Sequence, residues 1–144
     1  MDEHFLQFRV IYEDVHLLEI SVRVLHGEWS AVSTAYTSLS FFTENGNALL
    51  RWVEAPDEPL RIKAGADTGI GWMVLQFYTI NLARHVRCAV TLATQTMGDL
   101  RPAETSRFSI ELPTELGLVE RFARECIALG GNLKREARLI CSSE

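Results

Sequence analysis

The segment Arg84-His85-Val86-Arg87-Cys88 contains the residue types of a cysteine nucleophile. A histidine can take the thiol proton and a nearby arginine can lower the thiol pKa, so such a cluster could support covalent catalysis. The surrounding residues are typical of a β-strand, however, in which consecutive side chains point to opposite faces. Arg87 would then point away from Cys88, which would share an apolar face with Val86 and Val90. We therefore predict that Cys88 is a buried structural residue and that the segment supplies no catalytic group.

The other residues with catalytic or ligand chemistry are scattered. None of the four histidines lies in a spacing, such as H-E-x-x-H, that would bring two ligands to one metal. The glycines at 65, 69 and 71 are not spaced as in a phosphate-binding loop, and a predicted strand follows them, so we predict a hairpin loop there. The carboxylates fall mainly in turns and on the last helix, where they would be solvated. The sequence predicts no metal and no cofactor, and it leans against an enzyme without deciding the question.

Length, composition and charge limit the class of protein. The chain has 144 residues, of which 47% are hydrophobic and 23% charged, as is typical of one globular domain. We predict a single α+β domain over residues 1–144, with the tail 132–144 either loose or added as an edge element. The net charge of -5 opposes contact with a phosphate backbone, so nucleic acid is not a predicted partner. Lys63 and Lys134 are the only lysines, so arginine supplies nearly all of the basic residues. Our first interpretation of this imbalance is codon bias, and our second is that arginines bind carboxylates through paired hydrogen bonds.

The cysteines and the N-terminus indicate a cytoplasmic protein. Cys88, Cys126 and Cys141 are odd in number and lie in apolar contexts, which favours free thiols in a reducing compartment. The N-terminal residues 1–4 include two acidic side chains and lack the basic region of a signal peptide. No apolar stretch reaches the roughly 20 residues that a membrane span requires. We predict a soluble cytoplasmic protein without a membrane partner.

Hydrophobic periodicity predicts two helices among several strands. The first helix, Ser38–Val53, would be capped by the serine at 38 or at 40, and Asn45-Gly46 in its middle leaves open whether it is one helix or two pieces. The second would have Thr114 as its N-cap and Gly130-Gly131 as its C-cap. The predicted strands are 5–12, 15–26, 29–37, 60–64, 72–80, 86–94 and 107–112. Together the elements predict an α+β fold of order βββ-α-ββββ-α, with two helices on one face of an antiparallel sheet of about six or seven strands.

The predicted hairpin 72–94 has two distinct faces. Phe77 and Cys88 would lie on the inner face beneath the helices. The outer face would carry Trp72, Gln76, Tyr78 and Arg87. Aromatic and arginine side chains among short polar groups are typical of the centre of a protein interface. We predict that these four residues contact another protein or a second copy of the chain, because helices on one side would leave this face open.

An alternative is a small-molecule or enzymatic pocket between the sheet and the last helix. Its lining would be Phe77, Cys88, Phe108 and Phe122. Apolar cavities of this kind are common ligand sites.

Apolar and tryptophan positions follow a particular order along the chain. They are Leu39, Phe42, Leu50-Arg51-Trp52, Trp72, Phe108-Ser109-Ile110-Glu111-Leu112 and the stripe from Leu118 to Leu129. In this order, over roughly residues 22–129, the chain resembles small bacterial proteins of uncharacterised domain-of-unknown-function families, and it departs from them at Asn45-Gly46. The resemblance implies a cytosolic domain with no established active site, and some similar proteins are immunity partners that block a toxin. We therefore predict a non-catalytic interaction domain with a bacterial immunity or regulatory role.

Overall fold

Eight strands and two helices make up the part of the chain that the computed structural model describes, residues 4–65, 71–81, 85–96 and 104–142. The loops predicted across 66–70, 82–84 and 97–103 lie outside the described residues. The elements are β1 (Phe5–Glu13), β2 (Leu18–His26), β3 (Trp29–Thr37), α1 (Phe41–Glu54), β4 (Leu60–Gly65), β5 (Gly71–Thr79), β6 (His85–Thr96), β7 (Glu104–Glu115), α2 (Leu116–Gly130) and β8 (Glu136–Ile140). Neither helix combines the length and the apolar character that crossing a membrane would take.

The strands form two four-stranded antiparallel sheets. The first sheet has the order β3-β2-β1-β8 and the second has the order β4-β5-β6-β7. The α+β class is confirmed, but the prediction of one sheet with six or seven strands is wrong. The element order also differs, because the tail contributes β8, which pairs with β1 so that Ala137 lies opposite Phe8. Alternation identifies the buried face of a strand but not the strand that lies beside it, so it could not divide the strands between two sheets.

The first sheet buries one face and changes register near the end of β1. Phe8 and Ile20 are buried on its inner face, as the alternation predicts. The same alternation along the predicted strand 5–12 would place Tyr12 on that inner face as well. The register shifts between Val10 and Tyr12, however, so that Val10 lies opposite Ile20 while Tyr12 lies opposite Glu19. This irregularity moves Tyr12 to the outer face, where it is 50% exposed.

The first helix is continuous, which decides the alternative that Asn45-Gly46 left open. It begins after Ser40, whose side chain forms no capping hydrogen bond. Gly46 is buried against α2: a Cβ atom there would lie 2.6 Å from Cγ1 of Ile127 and 2.9 Å from the carbonyl oxygen of Ala123. The glycine therefore marks a close contact between the two helices and not a break.

The second helix starts later than predicted. Strand β7 continues through Thr114 to Glu115, so Thr114 is not an N-cap. Its hydroxyl instead donates a hydrogen bond to the carbonyl oxygen of Ile140 at 3.0 Å, which joins β7 to β8. At the other end Gly131 is the C-cap, as predicted, and its N–H donates to the carbonyl oxygen of Ile127 at 3.0 Å.

One hydrophobic core contains residues from all ten elements. The two helices pack on each other and on both sheets. Phe8 of the first sheet lies 5.5 Å from Phe122 and 5.7 Å from Phe42 between ring centroids, whereas Trp52 lies 6.1 Å from Phe77 of the second sheet. The second sheet thus turns its inner face to the helices and leaves its outer face for other contacts.

Candidate functional site

Cys88 is a core residue with no route to nucleophilic chemistry. It is fully buried between Phe77 and Leu112 on the neighbouring strands. Burial raises the pKa of the Cys88 thiol well above its ordinary value, which removes the thiolate that a nucleophile requires. His85 lies at the start of β6, where its backbone N–H donates to Oδ1 of Asn81 at 3.3 Å. His85 has the same outward parity as Arg87, whereas Cys88 lies on the inner face, so the Cys-His cluster suggested by the sequence does not form.

The residues of the alternative pocket lie in different surroundings. Phe77, Cys88 and Phe122 are each 0% exposed and belong to the common core. Phe108 is half-buried and lines a surface cleft of about 250 Å³ together with Val32 of β3. The three core residues do not line that cleft, so a shared pocket stays a prediction.

The four residues predicted for an interface do lie on one face of the second sheet. Tyr78 is opposite Arg87 in the register, and Gln76 and Trp72 lie at two and six residues from Tyr78 along the same strand. We call this surface the open face. Its outward side chains include Arg61, Lys63, Trp72, Val74, Gln76, Tyr78, Arg87, Ala89, Thr91, Ala93, Arg107, Ser109 and Glu111. All of them except Ala93 are half-buried or exposed.

On the open face, two side-chain contacts join β5 to β7 across β6. The guanidinium carbon of Arg107 lies 5.2 Å from the centroid of the Trp72 ring, with Ala93 between them in the register. The Tyr78 hydroxyl donates a hydrogen bond to Glu111. A cation over an aromatic ring and a hydrogen bond to a carboxylate both restrict the rotamers of large side chains. The aromatic residues are therefore held in place before any partner binds.

The hydroxyl of Tyr78 stays protonated under ordinary conditions. Its hydrogen bond to Glu111 raises the pKa of Tyr78, with burial and the negative charge of Glu111 acting in the same direction and the charge of Arg87 acting against them. The group is consequently a hydrogen-bond donor and not a base. The open face offers aromatic rings, donors and charges, which suit binding.

A cleft of about 280 Å³ borders the open face. The loop between α1 and β4 lines it together with Gln76, Tyr78 and Thr79. The indole Nε1 of Trp52 donates to the carbonyl oxygen of Glu58 at 2.7 Å, which fixes this loop on the helix. The edge of the open face is therefore concave at this cleft.

Sequence reasoning missed the residues that β4 and β7 add to this face. Alternation along the predicted strand 107–112 puts Arg107 and Glu111 on the polar side of β7, and Arg61 and Lys63 lie in β4. The missing step was strand pairing: β7 and β4 flank the hairpin, so their polar sides continue its outer face. Hairpin connections between successive strands were the available signal.

Within the four described ranges, no group of three or more histidine, cysteine, aspartate or glutamate side chains is arranged to hold a metal. The predicted absence of a metal and a cofactor stays a prediction for the whole chain. The resemblance to small bacterial proteins also stays a prediction, since no family model, no curated protein and no solved structure matches this chain.

Proposed function

We propose that this protein is a non-catalytic binding protein and that the open face contacts another protein. The observation that carries the proposal is the set of large side chains held by contacts across β6, Trp72 by Arg107 and Tyr78 by Glu111. Tryptophan, tyrosine and arginine supply most of the binding energy in protein interfaces. Side chains that are already ordered lose less conformational entropy when a partner binds.

The charge of the open face defines the partner more closely. Arg61, Lys63, Arg87 and Arg107 lie on it, and two carboxylates of β7 face the same side, Glu111 and, at the end of the strand, Glu115. The whole chain has a net charge of -5, so this face is locally cationic on an acidic protein. Complementary potentials favour association and suppress wrong partners. The proposed partner therefore presents carboxylates around an apolar centre. Recognition of carboxylates by arginine is the second interpretation of the arginine-rich composition.

The same charges oppose self-association through this face. A twofold dimer places the same patch of both subunits together, so cationic side chains would meet cationic side chains. Like charges brought together cost free energy. We therefore favour a different protein over a second copy, and within that class an immunity-type or regulatory role, in which this protein covers a functional surface of its partner.

A comparison of two double variants tests the proposal. Tyr78→Ala with Arg87→Glu removes one aromatic ring and reverses one charge on the open face. Tyr36→Ala with Arg23→Glu makes the same changes on the outer face of the first sheet, where both side chains are exposed. We expect the wild-type protein and the second variant to retain the same binding partner in affinity capture, identified by mass spectrometry, and the first variant to lose it.

Equal capture by all three proteins would contradict the proposal. Native mass spectrometry of each purified protein shows whether any shared mass is a second copy of the chain. Co-expression with the products of neighbouring genes then tests the immunity-type role, which requires that this protein suppress the toxicity of one of them. Circular dichroism confirms that each variant is folded.

A further inference from the structure

A cationic cleft lies between α2 and β8, away from the open face. Its volume is about 410 Å³. The charged side chains that line it are Arg121, Glu125, Lys134, Arg135, Glu136 and Arg138. Four cations and two carboxylates thus converge on one concavity of a protein whose net charge is negative.

Both carboxylates of the cleft are already bound by other groups of the protein. Glu125 accepts a hydrogen bond from the backbone N–H of Arg138 at 2.8 Å and another from Nζ of Lys134 at 3.2 Å. Glu136 accepts a hydrogen bond from the side chain of Gln7. These contacts hold the segment from α2 to β8 in place, and they compensate the charge of Lys134.

Arg121 lacks the partner that its spacing predicts. Glu125 follows it by four residues, an arrangement that favours an ion pair on an exposed helix face. The equivalent pair one residue earlier does form, with Nη2 of Arg124 at 3.1 Å from Glu120. Glu125 turns instead to β8 and Lys134. In the described part of the chain no carboxylate lies within ion-pair distance of Arg121 or Arg135.

We propose that this cleft binds a phosphate group, carried by a small molecule. A guanidinium group matches the oxygens of a phosphate with two parallel hydrogen bonds. A phosphate monoester carries nearly two negative charges at neutral pH, which compensates both Arg121 and Arg135, whereas a single carboxylate would compensate only one. The volume exceeds that of the phosphate and falls within the range of small-molecule sites, so the cleft has room for an attached group.

Titration followed by nuclear magnetic resonance tests this site with three probes. Inorganic phosphate, glucose 6-phosphate and glucose are each added to the wild-type protein, and amide shifts are recorded. We expect both phosphates to bind saturably with shifts centred on residues 121–138, and glucose to cause none. Tighter binding of the sugar phosphate than of phosphate supports an ester as the ligand, and equal binding would contradict the attached group and limit the ligand to the free anion.

Two arginine variants and a matched control separate a site from general electrostatic attraction. Arg121→Gln and Arg135→Gln each remove hydrogen bonds to a charged group, so we expect each to weaken phosphate binding at least about tenfold. Arg124→Gln removes the same charge from the same helix, but its guanidinium pairs with Glu120 and does not line the cleft. We expect binding by Arg124→Gln within about twofold of the wild type.

Equal weakening by all three variants would overturn the proposal, as would the absence of saturable phosphate binding. Saturable binding of a glutamate-rich peptide without binding of either phosphate would also overturn it, in favour of a protein partner. The result is independent of the open face, because none of these substitutions touches β4 to β7 and the capture experiment with Tyr78 does not involve this cleft.

Discussion

Gly46 of α1 and Ile127 of α2 approach so closely that a Cβ atom on Gly46 would lie 2.6 Å from Cγ1 of Ile127. The carbonyl oxygen of Ala123 lies 2.9 Å from the same position. A side chain can rotate away, but a backbone carbonyl within a helix cannot move without shifting the helix. The pair therefore sets the distance between the two helices, and with it the packing of both sheets on them.

Gly46→Ala should destabilise the protein even though alanine is the better helix former. Overpacking costs about 1–3 kcal/mol, and the higher helix propensity of alanine offsets up to about 1 kcal/mol of it. We expect a lower free energy of unfolding in urea. Gly117→Ala is the matched control, because a Cβ atom there meets nothing within 4 Å. It should be neutral or stabilising, and a stabilised Gly46→Ala would contradict the close contact between α1 and α2.

Ser33 joins the two sheets with a buried hydrogen bond. Its hydroxyl donates to the carbonyl oxygen of Ala93 at 2.9 Å, and the side chain is 3% exposed. Ser33→Ala should lower the free energy of unfolding by about 1–2 kcal/mol, because the carbonyl loses a buried donor. Ser30→Ala, at an exposed position of the same strand, should change it by less than about 0.5 kcal/mol. Equal effects of the two substitutions in chemical denaturation would argue against the bond between the sheets.

His26 should make the protein less stable in mild acid. Burial lowers the pKa of His26 below its ordinary value of 6.5, and the neighbouring His4 acts in the same direction, with the two rings 5.0 Å apart between centroids. The unfolded chain therefore binds a proton before the folded protein does. The resulting stability is fully present above pH 6.5 and is lost as the pH falls through the lower pKa of the folded state.

We expect the free energy of unfolding to fall from about pH 6.5 to about pH 5, measured in urea, and to fall less in His26→Gln. His16→Gln is the control, since His16 is exposed. Asp14 contributes to the stability of the folded protein in a different pH range. Hydrogen bonds from the backbone N–H groups of His16 and Leu17 lower the pKa of Asp14 below 3.8, so its contribution is lost only in stronger acid. An unchanged pH dependence in His26→Gln would show that other groups are responsible.

The cysteines should react slowly with a thiol reagent in the native protein. Burial raises the pKa of Cys88 and Cys126, and it raises the pKa of Cys141 to about 11. Little thiolate is then present at about pH 8. We expect slow labelling by a disulfide reagent, which reaches three thiols per chain only after addition of denaturant. Cys141 is the least buried, so Cys141→Ser should remove most of the native labelling. Rapid labelling of Cys88 would revive a nucleophilic role.

Local alternation was sufficient to predict the faces of the hairpin. Trp72, Tyr78 and Arg87 lie on one side and Phe77 and Cys88 on the other, because side chains alternate along a strand whatever its neighbours are. The same reasoning excluded Cys88 as a nucleophile. It could not identify Arg107 and Glu111 as parts of the same face, since pairing between strands depends on the whole sheet.

Tertiary structure decided what depends on contacts between distant segments. The sequence by itself determined the α+β class, most element positions and the alternation of buried and outward side chains. The fourth strand of the first sheet depended on β8 pairing with β1 across almost the whole chain, and the meaning of Gly46 depended on a helix that follows about 70 residues later. Glu125 shows the same limit. Its spacing from Arg121 predicts an ion pair, but Glu125 instead accepts a hydrogen bond from a backbone N–H of β8. Arg121 is then left to line a cleft that no local sequence pattern indicates.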